Sequence, residues 1–183
     1  HPPARPPVVG WEIGVVGLAW WCRRPLPKLP PGARQAFDVR TGRRLWSFKT
    51  IPDSGEYGWK TWENGSYEYM GHTNVWAPMS LDAKRHLLFL PVSTPTNDWY
   101  GGDRKGDNLF AESVVALDVR TGRRVWHYQI VHHGLWDYDL PAPPVLATIT
   151  WKGKPRDVVA VPSKTAWIYV FDRVTGKPIW PIV

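Results

Sequence analysis

Hydrophobic positions along this chain gather in short runs rather than recurring at helical spacing. Leu87–Val92 (LLFLPV), Ser113–Leu117 (SVVAL), Val158–Val161 (VVAV) and Trp167–Phe171 (WIYVF) are each rich in β-branched, aromatic and aliphatic side chains, and each predicts a strand. Prolines at 52, 78, 91, 95, 141, 143 and 144 would interrupt any long helix. The pattern predicts an all-β chain.

An eleven-residue pattern organises these runs. It reads AFDVRTGRRLW from Ala36 to Trp46 and ALDVRTGRRVW from Ala116 to Trp126, and returns more loosely as VFDRVTGKPIW from Val170 to Trp180. Each copy reads as a hairpin. An apolar strand end leads to an Asp whose carboxylate accepts from following backbone amides, and Thr-Gly closes the turn, with Gly42, Gly122 and Gly176 supplying a left-handed conformation. The strand after the turn ends in Trp46, Trp126 or Trp180, large flat residues suited to packing between neighbouring sheets. Several blades of antiparallel sheet docked in this way predict a β-propeller built of blades of about 40 to 50 residues. The aspartates lie 80 and 54 residues apart, so the unit is not uniform, and a missing or degenerate copy is expected in the first interval. Irregular spacing over 183 residues favours an incomplete ring of about three to four blades, with residues 1–183 forming part of one propeller domain.

Composition narrows the functional classes. Hydrophobic residues make up 43% of the chain and charged residues only 21%, which gives far more capacity for burial than a disordered chain has. The single cysteine, Cys22, cannot form a disulfide framework and leaves the redox compartment open. A formal charge of +7 raises the question of nucleic acid, but the basic residues are spread over turn positions such as Arg43/Arg44 and Arg123/Arg124. No nucleic-acid partner is expected. No apolar run approaches the roughly 20 residues of a spanning helix, and no export signal is visible. The sequence has no phosphate-cradling glycine loop and nothing resembling a nucleophile elbow. His132 and His133 near Asp137 and Asp139 do not read as a zinc site, because adjacent histidines on a strand point to opposite faces. The sequon at Asn64 carries no functional weight, and Asp107-Asn108 and Glu112 read either as contacts to a pocket or as turn caps, with turn capping the default.

The repeat resembles the tryptophan-docking motif of quinoprotein dehydrogenases, eight-bladed propellers that hold pyrroloquinoline quinone (PQQ). The intervening stretches HTNVWAPMSLD, VSTPTNDWYGG, GDNLFAESVVALD, WHYQIVHHGLWDYDLPAPP and PSKTAWIYVFDR are similar to that family in order and spacing, most of all to its membrane-bound, glucose-dehydrogenase-like branch. The resemblance implies that Trp76 forms the floor under the cofactor, that Lys164 is the basic residue beside it, and that His133 lies along the pocket. Stacking a tricyclic quinone on an indole and polarising its oxygens with a cation are physically sensible roles. Many relatives place an aspartate directly after the histidine as general base; this chain has Gly134, and Asp137, which also reads as a turn cap, is the nearest candidate to replace it. Thr94 stands where alcohol-oxidising relatives have an Asn ligand to calcium, and is the candidate cofactor and metal contact for Ca2+ or Mg2+. The Asp-Asn pair that relatives place near the metal is missing from GLAWWCRRP, residues 17–25.

The resemblance implies oxidation of a sugar or alcohol hydroxyl by hydride transfer to PQQ, with electrons passed to a quinone or cytochrome. It also implies a periplasmic location, with attachment to the inner membrane through segments beyond this chain. The remaining blades of the propeller are expected partners. Gly134 and the missing pair leave an alternative, a non-catalytic propeller acting as a binding or scaffold protein.

Overall fold

The computed structural model describes residues 8–10, 12–18 and 33–182. They form three antiparallel sheets. The first contains β1 (Val8–Gly10), β2 (Ile13–Leu18), β3 (Ala33–Asp38) and β4 (Arg44–Lys49), and the second β5 (Ser80–Asp82), β6 (Leu87–Pro91), β7 (Ser113–Asp118) and β8 (Arg124–Gln129). The third contains β9 (Val145–Trp151), β10 (Lys154–Pro162) and β11 (Ile168–Asp172). Each sheet is a meander of consecutive strands. The fold is all-β and consistent with a partial propeller, as the hydrophobic runs predicted. Among the described residues no helix is long and apolar enough to cross a membrane.

The repeat builds the same hairpin each time. In the first copy Asp38 Oδ1 accepts from Arg40 N at 3.1 Å and from Thr41 N at 2.8 Å, and in the third Asp172 Oδ1 accepts from Val174 N at 3.1 Å and Thr175 N at 2.9 Å. The near-identical copies even reproduce an irregularity of register: β3 slips between Ala36 and Phe37 and β7 between Ala116 and Leu117.

Tryptophans then join one sheet to the next. Trp46 Nε1 donates to Val119 O at 2.8 Å and Trp126 Nε1 donates to Arg173 O at 3.1 Å, each reaching the residue after the Asp of the following repeat. A Cβ at Gly122 would lie 2.6 Å from the Trp46 ring, and one at Gly176 would lie 2.5 Å from the Trp126 ring, so each turn glycine is also the seat of an indole. The first and second repeats therefore stand on adjacent sheets. The missing copy expected between them does not exist, because the extra length lies in the connections 50–79 and 92–112.

The middle sheet explains the continuous hydrophobic runs. Leu88, Leu90, Val115 and Leu117 pack with Val15, Ala36 and Trp46 of the first sheet, while Leu87, Phe89, Val114 and Ala116 pack with Val159, Val161 and Phe171 of the third. A strand buried on both faces has no polar positions to alternate with. Charges reinforce the second junction: Arg173 donates to Asp82 Oδ2 at 3.0 Å and to Ala147 O at 2.8 Å, and Arg85 bridges Asp82 and Asp157.

Antiparallel pairing also fixes where the loops go. The Thr-Gly turns close one end of the sheets, so the β4–β5, β6–β7, β8–β9 and β10–β11 connections all emerge at the other. That end carries Trp76, Thr94, Glu112, the segment from His133 to Asp139, and Lys164.

Candidate functional site

Asp139, in the β8–β9 loop, is the centre of this cluster. Its Oδ1 accepts from Thr94 N of the β6–β7 loop at 2.8 Å, and its Oδ2 accepts from Trp76 Nε1 of the β4–β5 loop at 3.2 Å and from Lys164 Nζ of the β10–β11 loop at 2.8 Å. The Lys164 N–H returns to Asp139 O at 3.0 Å. One buried carboxylate thus gathers four loops that run within and between the three sheets. Burial raises the Asp139 carboxyl above its ordinary value, against the downward pull of Lys164 and the Thr94 amide. The donors that converge on it all require the acceptor form.

Lys164 is held by two acids, its Nζ lying 2.7 Å from Asp137 Oδ2 as well as 2.8 Å from Asp139. Burial works to lower its pKa, but the hydrogen bonds to Asp137 and Asp139 outweigh it, and the ammonium stays charged above its ordinary range. That ammonium stands 5.9 Å from the centre of the Trp76 ring. The structure therefore joins Trp76, Lys164, Thr94 and Asp137 in one site. Asp137 is committed to Lys164 rather than standing free.

His133 sits at the margin of this group. Its Nδ1 faces Gly106 O at 2.8 Å, which makes Nδ1 the protonated nitrogen, and its backbone N–H donates to Asp107 O at 3.3 Å. The ring also fills the space that a Cβ at Gly101 would take. These contacts anchor the β8–β9 loop to the β6–β7 loop.

Glu112 corrects the sequence reading. It is not a turn cap but a fully buried carboxylate, with Oε1 accepting from Tyr138 N at 3.1 Å and Oε2 lacking a hydrogen-bond partner. A Cβ built at Gly134 falls closer than 3.0 Å to both of its oxygens. Burial pushes the Glu112 carboxyl up to about 7, with Asp139 and Asp137 adding to the rise and the Tyr138 amide and Arg104 opposing it. Arg104 closes the arrangement by donating to Gly134 O at 2.7 Å and to Asn108 Oδ1 at 2.9 Å.

Asp139, Glu112 and Arg104 were the functional candidates that sequence reasoning missed. Asp139 carries a weak signal in the run WDYDLP, four residues after Leu135 and two after Asp137. Glu112 lies directly before a continuous hydrophobic strand, a position from which its side chain enters the interior. Part of the GLAWWCRRP stretch, residues 19–25, and with it Cys22, falls outside the described residues.

The donor set suits a flat ligand that carries hydrogen-bond acceptors. A half-buried indole offers an aromatic face, Lys164 offers a cation, and the buried Thr94 Oγ1 has no hydrogen-bond partner. It does not suit a metal equally well. Among the described residues no three His, Cys, Asp or Glu side chains converge to hold one.

Comparison with known proteins shows the family. Residues 2–183 match the PQQ family described as the glucose/ethanol/alcohol dehydrogenase β-propeller domain. The chain is 40% identical to the quinoprotein glucose dehydrogenase of Escherichia coli (strain K12), over 82% of this chain and 19% of that protein. It is 37% identical to the quinoprotein glucose dehydrogenase of Gluconobacter oxydans (strain 621H), over 99% of this chain and 22% of that one. A quinohemoprotein alcohol dehydrogenase structure from Pseudomonas putida HK5 superposes with a TM-score of 0.82 at 31% identity, covering 95% of this chain and 26% of that chain. The chain spans about a fifth of the length of the curated relatives it matches. By family match, repeat architecture and site chemistry, the chain belongs to the PQQ-dependent dehydrogenase β-propeller family.

Proposed function

We propose that this chain is part of the propeller of a quinoprotein dehydrogenase that oxidises a sugar or alcohol hydroxyl, as the matched relatives are named for doing. The observation that carries the reading is the union of Trp76, Lys164 and Thr94 on the single carboxylate of Asp139. When bound, PQQ supplies the quinone that accepts hydride from the substrate carbon. Trp76 offers the stacking face, and Lys164 offers positive charge to the cofactor's oxygens. Asp139 and Asp137 hold the lysine in place, which limits the reorganisation needed at the moment of reaction. His133 fixes the loop that carries them.

The remaining blades would come from outside these residues. Trp180, the third docking tryptophan, is 48% exposed, whereas Trp46 and Trp126 are buried against a following repeat. A further blade seated on Trp180 accounts for the difference. We place the protein in the periplasm, with electrons leaving to a quinone or cytochrome acceptor.

The test is dye-coupled turnover by the complete protein carrying this chain, reconstituted with PQQ and Ca2+ or Mg2+ and offered aldoses and simple alcohols. Turnover that Trp76→Ala and Lys164→Ala each abolish supports the reading. A folded protein that binds no PQQ and turns nothing over overturns it in favour of a scaffold propeller.

A further inference from the structure

Removing hydride from a carbinol carbon leaves a hydroxyl proton that must go to a base, and the position after His133 is a glycine. Two nearby carboxylates are already committed, Asp137 to Lys164 and Asp139 to Lys164, Trp76 and Thr94. Glu112 differs. Its Oε2 is buried without a hydrogen-bond partner and points at the place where a side chain at 134 would begin.

We propose that Glu112 is the carboxylate that accepts the substrate hydroxyl proton, delivered from the β6–β7 loop into the space left by glycine at 134. The inference rests on the dehydrogenase reading above. Its balance is simple: the O–H bond breaks and its proton passes to Glu112 Oε2, the C–H bond gives its hydrogen and electron pair to the quinone, and a carbonyl product remains. Nothing else is consumed.

Glycine at 134 and glutamate at 112 form a reciprocal fit. Any Cβ at 134 would overlap the carboxylate, so the two positions exchange one acidic group between two loops. Glu112 is fully buried, so proton transfer requires its side chain to turn past Gly134, which has no side chain to obstruct it. The charged groups acting on it come from both loops, Arg104 from its own and Asp137 and Asp139 from the β8–β9 loop. Together they leave a carboxyl that titrates at about 7, where a base can both accept and release a proton.

The experiment uses the complete PQQ-loaded protein and four variants: Glu112→Gln, Glu112→Ala, Gly134→Asp and the double variant Glu112→Ala/Gly134→Asp. PQQ binding is measured first, by quenching of tryptophan fluorescence, and thermal unfolding in parallel. Glu112→Gln keeps an acceptor for the Tyr138 amide and removes only the proton-accepting oxygen. Its kcat is expected to fall about 10²- to 10⁴-fold with PQQ affinity unchanged and the pH limb near 7 gone. Gly134→Asp alone should unfold at lower temperature than the parent. The double variant should regain that stability and recover turnover relative to Glu112→Ala. Parental kcat and pH profile in Glu112→Gln would overturn the proposal, as would a stable double variant no more active than Glu112→Ala. A parent that binds no PQQ overturns the dehydrogenase reading and this inference with it, whereas PQQ binding and turnover that ignore Glu112 overturn the inference alone.

Discussion

The indole of Trp46 and the backbone of Gly122 are cut to fit one another across the first sheet junction: Nε1 reaches Val119 O at 2.8 Å while the ring occupies the space beside the turn glycine. Gly122 has φ +70°, a conformation that already favours glycine. Gly122→Ala is therefore expected to destabilise the fold by about 1–3 kcal/mol through overpacking. Gly42→Ala, with the same φ of +70° and nothing within 4 Å of its Cβ, should lose only the backbone preference of about 1 kcal/mol. Chemical denaturation of both variants measures the difference.

At the second junction, Arg173→Met removes one of the two arginines that meet the buried Asp82. Arg85 remains, so the expected loss is about 1–3 kcal/mol rather than the full cost of an unpaired buried charge. Equilibrium unfolding in urea checks it.

Glu112 makes stability depend on pH in a direction opposite to that of most carboxylates. Its pKa is raised from 4.5 to about 7 in the folded chain, so the folded state binds more protons than the unfolded state between those values. Stability from this group is present below about pH 4.5 and is lost as pH rises through about 7. Glu112→Gln should flatten the fall in melting temperature between pH 5 and pH 8, a window set by the same shift. A parallel fall in parent and variant would contradict the assignment.

Asp139→Asn preserves the shape of the hub but weakens its grip on Lys164. The remaining bond to Asp137 Oδ2 at 2.7 Å leaves the lysine free to swing away from Trp76. PQQ affinity is expected to fall about 10- to 100-fold, the effect of one hydrogen bond to a charged group. A fluorescence titration reads it directly.

The fold was largely legible in the sequence because its signal is local and repeated. Asp, Thr-Gly and Trp at fixed offsets encode the hairpin and its docking residue together, and the runs at 87–92 and 113–117 are apolar at nearly every position because the middle sheet is buried on both faces. Repeat spacing suggested a missing or degenerate copy between the first two repeats that the structure does not contain, since loop length is free to vary at the end of the sheets that carries the site. At the candidate site, the resemblance singles out Trp76 and Lys164, and the structure sets the Lys164 ammonium 5.9 Å from the Trp76 ring. Asp139 and Glu112 were not, because their importance comes from what meets them in space. Nothing in the sequence around 112 announces that its carboxylate lies against residue 134, twenty-two positions away.

The most direct test of the central claim is a PQQ titration of the complete protein and its Lys164→Met variant, with Lys152→Met as control. Lys152 stands 5.9 Å over Trp151, the same separation as Lys164 over Trp76, but away from the loops that form the site. The account predicts tight binding by the parent and the Lys152→Met variant and a large loss of affinity in Lys164→Met. Equal affinity in all three, or no binding by the folded parent, would contradict it.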